Sequence, residues 1–219
     1  MAQMDVYEAM RTLRAVRRLR PDPIPADVLH RVLEAATFAP TGGNQQPWRI
    51  VAVRDGAKKQ RLGELYADRW HNYTKRYRPF PADMPADARE RTERTLMAGD
   101  FLADHFGSTP VIAMFCFNPK FMAITDSEQK NRPSVVGGGS VYTAVENLLL
   151  ACRAEGLGCV LTTLLCEREP EVRALLGIPD PWYTAAAIPI GYPVGRGHGP
   201  LIRRPVDQLV YADSWGAKF

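Results

Sequence analysis

Gly137–Leu165 reads G-G-G-S-V-Y-T-A-V-E-N-L-L-L-A-C-R-A-E-G-L-G-C-V-L-T-T-L-L. Its first half places Val141, Ala144, Val145, Leu148, Leu149 and Cys152 at helical spacing, so one side of a helix is apolar along its length. Ser140 stands where an N-cap belongs and Gly156 where the helix must stop. Val160 to Leu165 then forms a short apolar run that suits a second buried strand or extended segment. A helix that delivers the chain straight into a buried strand is the repeating step of a layered domain.

The same alternation continues on both sides. Asp5 to Leu13 reads as a short helix with Val6, Met10 and Leu13 on one side. Pro21, Pro23 and Pro25 hold the next stretch extended, and Pro25 suits a helix start. From Ala26 a stripe of Val28, Leu29, Val32, Leu33 and Ala36 predicts a helix that ends before Pro40. Trp48 to Val53 predicts a largely buried strand, turned by Asp55 and Gly56. Residues 57 to 107 are mostly helical by composition, broken at Pro79, Pro81 and Pro85. Val111 to Phe117 predicts a strand, and residues 118 to 136 an irregular loop. Glu169 to Leu176 predicts a helix closed by Gly177, and Ala185 to Tyr192 a strand ended by Pro193. The polar tail from Pro200 offers Val206, Leu209, Val210, Tyr211 and Trp215 as anchors. The order predicts an α/β or α+β domain with helices covering a sheet.

Composition narrows the function classes. The chain has 219 residues, 46% hydrophobic and 24% charged, enough for a substantial core. With 28 basic and 24 acidic residues the formal charge is +4, which suits small anions as well as nucleic acid. No RNP-like aromatic strand or zinc-finger spacing favours nucleic acid. The opening M-A-Q-M-D shows no signal peptide and no apolar stretch approaches a membrane span, so a cytoplasmic setting is expected. Cys152, Cys159 and Cys166 recur every seven residues, as metal ligands or, with Cys116, as buried core thiols.

Arg14-Ala15-Val16-Arg17-Arg18-Leu19-Arg20 holds four guanidinium groups in seven positions. A planar guanidinium gives a phosphate two parallel charge-assisted hydrogen bonds. Arg14 and Arg17 are spaced to converge, while Arg18 and Arg20 could face solvent; a bland surface cluster is the other reading. Arg203-Arg204 adds a basic pair in the tail. Thr41-Gly42-Gly43-Asn44 is either a ligand-lining turn or a plain connection. Gly137 to Gly139 could form an anion nest at a helix start. It matches neither the dinucleotide fingerprint nor the P-loop, and no nucleophile elbow or H-E-x-x-H pair occurs. His30, His71, His105 and His198 read as surface or satisfied core positions, and Glu167 with Glu169, or Glu64 with Asp68, as solvated carboxylates. Tyr66 to Tyr77, with Trp70, His71 and Tyr73, is either a solvated helix with an aromatic anchoring face or a lid over a ligand. A ligand-like framework without a nucleophile suits chemistry carried by a cofactor.

Four segments in order resemble the nitroreductase family of FMN-dependent oxidoreductases. R-A-V-R-R-L-R-P-D-P-I is similar to its R-S-V-R-x-F opening, and A-P-T-G-G-N-Q-Q-P-W-R-I-V-A-V to A-P-S-x-x-N-x-Q-P-W-x-F. E-N-L-L-L-A-C-R-A-E-G-L-G-C-V and the late I-P-I-G-Y-P with R-R-P complete the likeness. Residues 60 to 135 are least diagnostic.

The resemblance implies a single domain over 1–219, with 60–135 variable and 200–219 a C-terminal arm. It implies an α+β fold, a mixed β-sheet flanked by helices, and an intertwined homodimer with FMN sites at the interface. Arg14 and Arg17, with Ala15 beside them, would meet the FMN phosphate region. Pro40, Thr41 and Asn44 would approach from the partner subunit, Leu161, Thr162 and Thr163 would lie along the ring, and Arg203, with Arg204 as alternate, would add a phosphate contact. NADH or NADPH would give hydride to flavin N5, and a nitroaromatic or quinone would take it. No residue acts as a covalent catalyst, and no metal, nucleic acid or membrane is implied. A flavin-binding, storage or flavin-consuming module without nicotinamide turnover is the alternative. Trp70, Tyr73 and Phe121 to Arg132 are candidate substrate-cover residues. Ala15 replaces the family's Ser, Leu19 replaces a common aromatic, and Leu161 to Leu164 lacks the Glu-Gly pair of nitro-reducing enzymes.

Overall fold

A computed structural model describes residues 4–126, 128 and 131–219. In chain order the regular elements are α1 (Val6–Thr12), β1 (Leu19–Arg20), α2 (Ala26–Thr37), β2 (Trp48–Val53), α3 (Gly56–Thr74), α4 (Ala86–His105), β3 (Val111–Phe117), α5 (Tyr142–Ala154), β4 (Gly158–Cys159), α6 (Glu169–Leu176) and β5 (Tyr183–Pro193). The sheet runs β1-β5-β3-β2, with β4 also paired to β5. These ladders are antiparallel, and a parallel bridge joins Ala15 to Cys159. The outcome is α+β.

Strand β3 explains why the sheet lies between two helical layers. Val111, Ala113 and Phe115 face a core built with Leu29 and Val32 of α2 and Val145 and Leu148 of α5. Ile112, Met114 and Cys116 point the other way, onto Leu62 and Leu65 of α3, Leu102 of α4 and Val172 of α6. Alternate side chains of a strand take opposite faces. A strand covered on both faces therefore reads as the unbroken apolar run V-I-A-M-F-C-F. Each fully buried Leu, Ile or Phe contributes about 1.5–3 kcal/mol relative to exposure.

Four expectations fail for identifiable reasons. Asp55 does not turn β2; its carboxylate accepts the Lys58 N–H at 2.8 Å and caps α3. Ser140 does not cap α5, whose N-cap is Val141; the Ser140 hydroxyl accepts the Gly42 N–H at 3.1 Å. Of the two readings of Val160 to Leu165, the strand fails and the extended segment holds only to Thr163: Thr162 alone pairs, with Ala187, and the chain coils from Leu164. The tail anchors do not bury: Val206, Leu209, Val210, Tyr211 and Trp215 are all exposed, Trp215 at 92%. Residues 1–3, and 127, 129 and 130 of the 121–132 segment, lie outside the described residues. No described helix is long and apolar enough to cross a membrane.

Candidate cofactor-binding site

The arginine segment leaves α1 extended. The Val16 N–H bonds the Cys159 carbonyl at 2.9 Å, beside the Ala15–Cys159 bridge. Val16 and Leu19 bury their side chains against β4. Gly158 permits this approach: a Cβ there would lie 2.7 Å from Val16 Cγ1 and 2.8 Å from Leu19 Cδ2.

With the apolar residues of the segment turned inward, its cations divide. Arg14 and Arg17 line a cavity of about 370 Å³. Arg203 reaches the same cavity from the tail, and Ala15 and Leu161 complete its walls. Among the described residues none of these three arginines has a carboxylate within salt-bridge distance. Arg203 donates only to its neighbour's carbonyl, Ile202 O. Arg18 instead lies over the Phe101 ring at 5.3 Å. Arg20 lies over Tyr192 at 5.4 Å and 3.4 Å from Asp22. Arg204 does not line the cavity.

A second cavity of about 280 Å³ adjoins the first and shares Arg17, Val160 and Leu161 with it. Thr162 and Thr163 form one wall, and Tyr66, Trp70 and Tyr73 from α3 form the other. Thr162 is fixed by two backbone hydrogen bonds to Ala187, at 3.0 and 2.8 Å. Burial pushes the Tyr66 phenol up, partly offset by its hydrogen bond to Thr162 and by Arg17. Trp70 is buried and donates from Nε1 to Asp100 at 2.8 Å. Its ring also fills the space that a side chain at Gly99 would need. Trp70 is therefore a fixed wall rather than a cover, whereas Tyr73 sits at the rim under Arg76, 4.5 Å from its ring centre.

The Thr41–Gln46 turn is built differently. Asn44 and Gln46 both take left-handed backbone, with φ of 54° and 45°. Such positions cost of order 1–3 kcal/mol each and persist only where surrounding bonds fix them. Gln46 N–H bonds Thr41 Oγ1 at 3.0 Å, Gln46 Nε2 bonds Asn44 Oδ1 at 3.2 Å, and Thr143 donates to the Pro40 carbonyl at 3.4 Å. These contacts use acceptors of the turn and leave the Thr41 O–H and the Asn44 amide N–H groups as donors. Neither arginine-lined cavity is bounded by Pro40, Thr41 or Asn44. The Gly137 to Gly139 stretch is no open nest: Gly138 N–H bonds Val135 O at 3.1 Å, and Gly137 and Gly138 line an apolar cavity of about 510 Å³.

The structure thus brings Arg14, Ala15, Arg17, Leu161 and Arg203 together, places Thr162 and Thr163 next to them, and leaves Pro40, Thr41, Asn44 and Arg204 apart. Sequence reasoning missed Glu146 and Leu201 in the walls. Glu146 breaks the apolar pattern of α5 one residue after Val145, which was the available signal. Burial pushes its carboxyl above the ordinary value. Glu169, expected to be solvated, accepts from the backbone and hydroxyl of Thr184.

The nitroreductase family model matches residues 10–192. A protein of Thermus thermophilus named NADH dehydrogenase is 32% identical over 94% of this chain and 95% of its own length. Rat iodotyrosine deiodinase 1 is 27% identical over 96% of this chain and 70% of its own. The structure of oxidised iodotyrosine deiodinase bound to FMN and 3-iodo-L-tyrosine superposes with a TM-score of 0.69 at 21% identity, over 96% of this chain and 99% of that one.

Proposed function

The chain belongs to the nitroreductase family, and from that premise we propose that it is an FMN-dependent oxidoreductase reduced by NADH or NADPH. The observation that carries the reading is the convergence of Arg14, Arg17 and Arg203 on one cavity, without carboxylate partners. Unpaired guanidinium groups at a common cavity suit a phosphate, and the adjoining flat-walled cavity suits a ring system.

Arg14 and Arg203 would hold the phosphate. Arg17, shared by both cavities, would stand between phosphate and ring. Thr162 and Thr163 would set the ring's height against the sheet, because Thr162 is pinned to β5. The fixed Trp70 ring would exclude water from that edge. When bound, FMN would supply the hydride chemistry, taking reducing equivalents from NADH or NADPH for an electron-poor acceptor such as a nitroaromatic or quinone. The protein's part is orientation and positive charge near that reduction.

We also propose a homodimer. The donors of Thr41 and Asn44 meet neither arginine-lined cavity within one chain. Val6, Tyr7 and Met10 of α1, and Ile202, Val206 and Trp215 of the tail, are large apolar side chains left exposed. A second copy would cover that surface and bring its own turn to the ring.

The test is the absorbance of the purified full chain, followed by anaerobic addition of each nicotinamide. A yellow protein bleached within seconds supports the reading. A yellow protein that neither nicotinamide bleaches favours the flavin-binding alternative, and a colourless one that takes up no FMN removes both. The acceptor screen pairs nitroaromatics and quinones with halogenated phenols, because the relatives include a deiodinase. Sedimentation of the FMN-loaded protein as a monomer would contradict the shared site.

A further inference from the structure

His198 is 7% exposed and lines none of the cavities described above, yet it joins the segments that wall the first one. Its Nε2 lies 2.8 Å from the Leu157 carbonyl, which can only accept, so Nε2 carries the proton. Its Nδ1 lies 3.4 Å from the Arg14 backbone N–H, which can only donate, so Nδ1 is bare. Both contacts are satisfied by one neutral tautomer. Leu157 leads directly into Gly158–Leu161, Arg14 opens the arginine segment, and His198 itself lies five residues before Arg203. A second tie runs alongside, from the Gly199 N–H to the Thr12 carbonyl at 3.1 Å.

We infer that His198 is a positioning residue of the phosphate cavity, whose neutral imidazole fastens the start of the C-terminal arm to Arg14 and Leu157 and so sets Arg203 opposite the N-terminal arginines. The inference rests on the flavin reading above. Burial and two neighbouring arginines oppose a charged imidazole. Arg14 faces it from the N-terminal segment, and Arg153 from α5. Glu8 of α1 is the carboxylate nearby, 3.9 Å from the Arg153 guanidinium. Arg196, on the histidine's own segment, comes within 4 Å of where a Gly199 side chain would start. Protonation at Nδ1 would set a donor against the Arg14 donor and add a charge beside Arg14 and Arg153. Burial, then these two arginines, hold the imidazole below its ordinary value of 6.5, against the Leu157 bond, which pulls the other way. The neutral, fastened state is therefore complete above the ordinary value and is lost as pH falls through the lower folded value.

The test is FMN affinity of the full chain, by flavin fluorescence quenching from pH 8 to pH 5, for wild type, His198→Asn and His198→Leu. The FMN phosphate itself titrates near pH 6, so the comparison between variants, not the raw slope, is the readout. Asn can accept from Arg14 but does not titrate. Wild type is expected to lose more affinity than His198→Asn toward the acid end of the range, with an excess slope approaching about tenfold per pH unit for one linked proton. His198→Leu is expected to bind weakly throughout, with a slope parallel to that of His198→Asn. Parallel profiles for wild type and His198→Asn would overturn the inference while leaving flavin binding intact. Absence of FMN binding by wild type at any pH would overturn the flavin reading, and this one with it.

Discussion

The arginine segment and the Thr41–Gln46 turn are both dense in ligand-like groups, but they differ in what they leave unused. In the turn, the Thr41 and Asn44 side-chain oxygens are consumed in holding two left-handed residues, and the donors of those two side chains remain. In the segment, two cations are consumed by aromatic rings and Asp22, while Arg14 and Arg17 keep their charge for a cavity. A candidate site is marked by groups that the fold leaves unsatisfied, not by richness in polar residues.

The sharpest way to break this contrast is Arg17→Ala. Losing charge-assisted hydrogen bonds worth about 1.5–3 kcal/mol should weaken FMN binding roughly 10- to 100-fold. Unchanged affinity by titration would return Arg17 to the surface class. Gly158→Val comes next. Its side chain would collide with Val16 and Leu19, with an overpacking penalty of about 1–3 kcal/mol, visible as a lower melting temperature together with weaker FMN retention. Thr41→Ala removes the acceptor for the Gln46 N–H and should cost about 1 kcal/mol in denaturant unfolding. Arg18→Ala and Arg20→Ala should change FMN affinity by less than about twofold, since exposed contacts of this kind are worth little. Thiol labelling gives the smallest effect. Burial, with Glu169 and Cys166 adding to it, pushes the Cys116 thiol up to about 12. It should resist alkylation at pH 8 in the native state, while half-buried Cys166 reacts first.

The parts legible in the sequence are those set by local pattern. The α2 stripe, β2 and β3 stand where their apolar periodicity placed them, and Gly177 closes α6 in left-handed backbone. The misreadings concern groups whose partner is distant in sequence. Ser140 looked like a cap because its partner, Gly42, is 98 positions away. Val160 to Leu165 read as a strand or extended segment because it is apolar, but only Thr162 finds a strand to pair with. The division among the four arginines was open in the sequence as well. It depends on Phe101, Tyr192 and Asp22, of which only Asp22 is a near neighbour. Trp70 shows the same limit: helical spacing gave its face, but its role as a fixed wall depends on Gly99 and Asp100 of the next helix.

The most direct test of the account is a paired titration of the apoprotein with FMN and with riboflavin, which differ by the phosphate alone. The account predicts FMN binding tighter by about a hundredfold, from several charge-assisted bonds to the arginines, and a gap that narrows in Arg17→Ala. Equal affinity for the two flavins would contradict it, because the arginine cavity would then not be where the phosphate lies.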